Sequence, residues 1–145
     1  MFKHILLPMD GSALAEAAAD AVIELARRTG ARLTAVHVMT LLHMFTYEPG
    51  VTESVHEEVR KDRERHSRKV LAAIAERAAA AGVPCDAILV PSDSVHEAII
   101  EEARKQQCDL IAMATHGRKG IKALLLGSVT QKVLAYSTIP VLVFR

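Results

Sequence analysis

Five short apolar runs separated by four longer stretches of helical periodicity constrain this chain more than any single residue does. Ile5–Leu7 is the first run, ended by Pro8, which has no N–H to give to a ladder. Leu14, Ala18, Ala21, Val22 and Leu25 then recur at helical spacing, with Ser12 placed to cap the start and Gly30 to close the end. Leu33–Met39 reads as a second strand. Thr40–Thr52, holding Phe45, Tyr47, Pro49 and Gly50, follows neither period and is expected to be a long loop. A long helix is expected over Glu53–Ala81, charged on all sides in its first half. Its second half has an apolar face at Val70, Leu71, Ile74 and Ala78, and Gly82 and Pro84 stop it. Cys85–Val90 is the third strand, ended by Pro91. Asp93 or Ser94 can cap the next helix, whose buried stripe is Val95, Ala98, Ile99 and Ala103. Leu110–Met113, a helix from about Ser128 to Tyr136, and a last strand over Pro140–Phe144 complete the order.

Strands alternating with helices predict an α/β fold, a parallel sheet covered on both faces and wound by right-handed crossovers. The 145 residues fit one domain, 1–145, with no repeat or linker. Half the residues are hydrophobic but only 3 % are aromatic, so the core must be Ala, Val, Leu and Ile. Eighteen Lys and Arg against 17 Asp and Glu leave no overall field for nucleic acid or an anionic membrane. The apolar run in Met1–Leu7 is too short for a signal peptide, and no stretch approaches the roughly 18 apolar residues of a membrane span. Cys85 and Cys108 have no Cys-x-x-Cys spacing and are expected as buried free thiols. The expected location is the cytoplasm.

In such sheets ligands bind beyond the carboxyl ends of the strands, where the winding reverses. That directs attention to Pro8–Ser12, His37–Met39, Pro91–Ser94 and Ala114–Ser128. In the last of these, Gly117 permits a tight turn, and Gly127-Ser128 opens a helix whose unpaired N–H groups and positive dipole end suit an anion. The hydroxyls of Ser128 and Thr130 could donate to a phosphate oxygen, and Arg118 and Lys119 add positive charge. An ordinary capped helix after a glycine turn would look the same. In Pro8-Met9-Asp10-Gly11-Ser12, the Asp10 carboxylate could accept from a ribose or contact a base, or simply cap a helix.

The whole chain, Phe2 to Arg145, resembles the universal stress protein family. The resemblance rests on Ile5-Leu6-Leu7-Pro8-Met9-Asp10-Gly11-Ser12, on His37-Val38, and on Cys108-Asp109-Leu110-Ile111-Ala112-Met113 before Ala114-Thr115-His116-Gly117-Arg118. Leu124-Leu125-Leu126-Gly127-Ser128-Val129-Thr130 and Ile139-Pro140-Val141-Leu142-Val143 complete it. The resemblance implies a three-layer α/β/α, adenine-nucleotide-hydrolase-like (Rossmann-like) fold, with a five-stranded parallel sheet in the order 3-2-1-4-5.

The family's ATP-binding branch is marked by Gly, two residues, Gly, nine residues, then Gly followed by Ser or Thr. Gly117 and Gly127-Ser128 keep that spacing, while Ala114 stands at the first glycine. The resemblance implies ATP as ligand, with any magnesium carried by its phosphates. It places Asp10 against adenosine and the backbones of Met9 and Val38 against the adenine, with Pro8 and Ser12 also counted among the nucleotide-binding residues. Met113, Ala114 and Gly117 would line the ribose and phosphate path, and Gly127, Ser128 and Val129 would hold phosphates, with Arg118 and Thr130 also counted among the nucleotide-binding residues. At positive φ, alanine at 114 costs roughly 1 kcal/mol; at negative φ its methyl only narrows the pocket.

The seven histidines show no ligand spacing on one helix, so no protein-held metal is expected. There is no Gly-x-x-x-x-Gly-Lys-[Ser/Thr] loop, and neither Ser12 nor Ser128 has a recognisable His–acid partner. Arg60–Lys69 interleaves bases with Asp62 and Glu64 and reads as a solvated face. Phe45 and Tyr47 could close over a base or pack on the end of the sheet. The apolar last strand, Val141–Phe144, would be an unprotected edge, and the resemblance implies that a second subunit covers it in a homodimer. The leading expectation is an ATP-binding regulatory protein of the stress response. Alternatives are a nucleotide-free dimeric interaction module and a slow ATPase.

Overall fold

The computed structural model describes residues 1–40, 50, 52–115 and 126–145. Within them the elements alternate as expected: β1 (His4–Pro8), α1 (Ala13–Thr29), β2 (Arg32–Met39), α2 (Glu53–Ala80), β3 (Cys85–Pro91), α3 (Val95–Lys105), β4 (Leu110–Ala114), α4 (Ser128–Tyr136) and β5 (Val141–Phe144). The five strands form one sheet in the order β3-β2-β1-β4-β5, every neighbouring pair parallel. The winding therefore reverses between β1 and β4, the neighbours at the centre.

Strand side chains alternate between two layers of helices. Ile5 and Leu7 of β1, Leu33 and Ala35 of β2, and Ala112 of β4 pack with Val22 of α1 and with Leu71 and Ile74 of α2. Leu6, Val36, Ile111 and Met113 point the other way, against Ile99 and Ala103 of α3 and Val133 of α4. Contact with helices on both faces is why β1 from Ile5 onward and all of β4 are unbroken apolar sequence. The chain has few bulky aromatics, and close approach of helix to sheet is made by alanine. Ala19, Ala26, Ala35, Ala78, Ala103 and Ala112 are all 0 % exposed.

Local signals place the ends. The Ser12 side chain accepts the Ala15 N–H at 3.2 Å and caps α1, while Gly30 closes it in the left-handed region at φ 72°. Ser94 occupies the N-cap of α3 but makes no side-chain capping bond; the Ser92 hydroxyl accepts the Ser94 N–H at 3.2 Å instead. β1 and β3 each run one residue beyond expectation, to Pro8 and Pro91, because a terminal proline forfeits no further ladder bond.

At the opposite end of the sheet, the Asp109 carboxylate accepts the N–H groups of Lys3 and His4. Burial pushes that carboxyl up, but these two backbone bonds, together with its own N–H and the charge of His4, outweigh it and hold it below its usual range. Cys108 is buried as expected, which pushes its thiol up to about 12. Cys85 is only half-buried, since β3 is an edge strand; its thiol is also raised by burial. Among the described residues no helix is long and apolar enough to cross a membrane.

Candidate functional site

Two chain turns meet at the carboxyl ends of β1 and β4. After β1, Gly11 takes φ 79°, a conformation glycine adopts without a Cβ clash. The turn it makes lets the Asp10 carboxylate accept the Ser12 N–H at 2.9 Å. After β4, the chain comes back to Gly127, whose N–H donates to the Thr115 carbonyl at 2.7 Å. α4 starts there, with its first helical bond running from Gln131 N–H to Gly127 O at 2.9 Å.

This geometry separates donors already in use from those facing outward. The N–H groups of Ser128, Val129 and Thr130 occupy the first turn of α4, where a helix offers no internal acceptor. They and the positive dipole end point beyond the sheet. The Gly127 N–H is already spent on Thr115. The Thr130 hydroxyl is spent too, donating to Ala114 O at 3.0 Å, with Thr115 O at 3.3 Å. It is buried, so a phosphate-donating role for that hydroxyl gives way to a bracing one, since its single proton lies on backbone oxygen. Similarly, Met9 N–H donates to Val36 O at 2.7 Å, leaving its carbonyl as the polar group Met9 can present to a ligand.

Ala114 ends β4, and among the described residues the only non-glycine at positive φ is Gln107. Its methyl thus carries no backbone strain and forms part of the wall. A cleft of about 920 Å³ extends between the two turns. Of the residues singled out from sequence, Pro8, Met9, Asp10, Val38, Met113, Ala114, Gly127, Ser128, Val129 and Thr130 line it. Ser12 does not line it, because its side chain caps α1. Gly117, Arg118 and Lys119 lie outside the described residues, as do Phe45 and Tyr47.

The cleft also has a wall that the sequence reading did not assign. Asp62, Arg63, His66 and Ser67 of α2 line it, within the segment read as a solvated face. Ser67 is buried, at i−4 from Leu71, so the apolar stripe of α2 could have been followed one turn further back. On the opposite layer Val95 and Ile99 of α3 contribute apolar surface. The arrangement offers anion-binding N–H groups at one end and an apolar slot near Val38 and Met113 for a flat ligand. Among the described residues, no three His, Cys, Asp or Glu side chains gather as a metal-ion cluster.

Comparison with known proteins agrees with this geometry. The model of the universal stress protein family matches residues 1–145. A universal stress protein of Thermus aquaticus is 39 % identical over 145 residues, covering all of both chains. YxiE of Bacillus subtilis is 33 % identical over 149 residues, again covering all of both. Among solved structures, MJ0577 of Methanocaldococcus jannaschii superposes with TM-score 0.87 at 29 % identity, covering 99 % of this chain and 95 % of that one. Two more distant structures share the fold. One is a universal stress protein in complex with cAMP (TM-score 0.70, 23 % identity, covering 99 % and 97 %). The other is the Archaeoglobus fulgidus protein in complex with dAMP (TM-score 0.65, 16 % identity, covering 100 % and 98 %). With the family model matched from end to end and the sheet order it implies in place, this chain belongs to the universal stress protein family.

Proposed function

We propose that this chain is a cytoplasmic, ATP-binding regulatory protein of the stress response, one domain over 1–145, working as a homodimer. The observation that carries the reading is the set of outward N–H groups on Ser128, Val129 and Thr130, set across one cleft from Asp10. A polyphosphate fits the first and an adenosine the second. Structures of the same fold in complex with cAMP and dAMP support an adenine nucleotide as the ligand class.

Gly117 and Arg118 are proposed to complete the phosphate path, and any magnesium would arrive on the phosphates. β5 is the last strand of the sheet, with only β4 beside it among the described residues, and Leu142 is 37 % exposed. Pairing of Val141–Phe144 with the same strand of a second subunit would cover that edge.

Isothermal titration with ATP and magnesium tests the binding. Heat with a saturating isotherm is expected, and Gly127→Glu should abolish it by placing a carboxylate where the phosphates lie. No heat at high protein concentration would leave the nucleotide-free dimer as the better account.

A further inference from the structure

Helix α2 is much longer than the strands it packs on. Its 28 residues extend about 42 Å at helical rise, whereas the eight residues of β2 extend about 26 Å. The surplus projects past the carboxyl ends of the strands, since α2 begins there and runs back to the start of β3. The buried residues Ser67, Leu71, Ile74 and Ala78 mark the stripe that lies on the sheet. One turn further toward the N-terminus on that stripe is Arg63. There the stripe has left the sheet, and Arg63 lines the cleft.

Its surroundings set Arg63 apart from the other arginines of this helix. Arg60 pairs with Glu57, Arg65 with Asp62, Arg68 with Glu64, and Arg77 with Glu16 and Asp20. Arg63 has no ion pair among the described residues. The Ser67 hydroxyl beside it donates to the Arg63 carbonyl at 2.9 Å and is thereby spent. Arg63 is also the one formally charged cation lining the cleft among the described residues. The acids there are Asp10 and Asp62, the latter tied to Arg65 at 3.2 Å.

Position decides which part of a ligand it meets. α4, with the outward N–H groups, packs on α3 and β5. α2 packs on β2 and β3, on the other layer and toward the other edge of the sheet. A nucleotide whose phosphates sit on Ser128–Thr130 extends its base toward Val38 and α2. A guanidinium there can lie on the face of a purine or donate to its ring nitrogens, which a lysine does poorly.

We infer that Arg63 is a ligand-contacting residue that recognises the adenosine end of the nucleotide. The inference rests on the nucleotide reading of the cleft. Its test is calorimetric titration of the full chain with AMP, ATP and inorganic tripolyphosphate. Arg63→Ala is expected to weaken AMP and ATP alike, by about tenfold, and to leave tripolyphosphate unchanged. Arg60→Ala, three residues away and paired with Glu57, is the control and should match the unaltered chain.

Alanine favours an exposed helix, so neither variant threatens folding. A loss that grows with phosphate number, or an equal loss in Arg60→Ala, would overturn the inference. Unchanged AMP and ATP affinity in Arg63→Ala would overturn it while leaving the nucleotide reading standing. An unaltered chain that binds neither AMP nor ATP would overturn both.

Discussion

The Thr130 hydroxyl donates to the Ala114 carbonyl at 3.0 Å, tying the first turn of α4 to the last residue of β4. Both groups are buried, so the bond cannot be exchanged for one to water. It holds the helix start at a fixed height above the sheet, where its N–H groups face the cleft.

Replacing Thr130 by Val keeps the branched shape and removes the donor. The strand-end carbonyl loses that partner, and destabilisation of about 1–2 kcal/mol is expected. Urea unfolding should show the loss, and Thr130→Ser should recover most of it. An unchanged midpoint in Thr130→Val would remove the bracing role.

Ser128→Pro separates backbone donation from helix stability. Proline is well tolerated at the first helical position, and Gly127 before it sits at φ −59°, ψ 151°, which proline accepts. Stability should stay within about 0.5 kcal/mol. ATP affinity should fall by about tenfold below that of Ser128→Ala, which lacks the hydroxyl alone, because one charge-assisted backbone donor is gone. Equal affinity would place the phosphates elsewhere.

Restoring glycine at 114 should bring no tighter binding, since alanine there carries no positive-φ strain. Ala114→Gly is instead expected to cost about 0.5–1 kcal/mol through added freedom of the unfolded chain. Thermal unfolding beside titration checks both halves. A several-fold gain in ATP affinity would mean that the methyl obstructs the ligand.

His4 gives the fold a pH dependence far from the cleft. Its Nε2 lies 2.7 Å from the Thr34 hydroxyl, and both side chains are buried. Burial first, then the charge of Arg32, lowers its pKa below 6.5, against smaller opposing effects from the Gln106 backbone, Asp109 and Asp86. In the window between that lowered value and 6.5, the unfolded chain binds the extra proton and the folded chain does not. Stability is therefore full above pH 6.5 and falls as pH drops through this window. Chemical denaturation from about pH 7.5 down to about pH 5 should show the slope, and His4→Gln should flatten it.

The order of elements and the sheet were readable because prolines, glycines and apolar periods mark each boundary. Ser12 and Gly30 act where their residue types suggest. The conformation of Ala114 was not readable: it depends on β4 running one residue past Met113, which pairing with Phe144 decides. Nor could sequence show that Met9, Gly127 and Thr130 had already spent donors, since each partner is distant in the chain. Arg63 escaped notice for a different reason. A polar helix half has the same pattern whether it faces bulk water or overhangs a cleft, and only the length mismatch with β2 distinguishes them.

The alanines pressed between helices and sheet leave this interior with no slack. At Ala19, Ala26, Ala35, Ala78, Ala103 and Ala112, each fully enclosed, most replacements add atoms where none fit. Substitution here fails by crowding more often than by hollowing. Variation that keeps the fold is thereby steered away from the layers and onto the rim above the strands, the part of the molecule that meets a ligand.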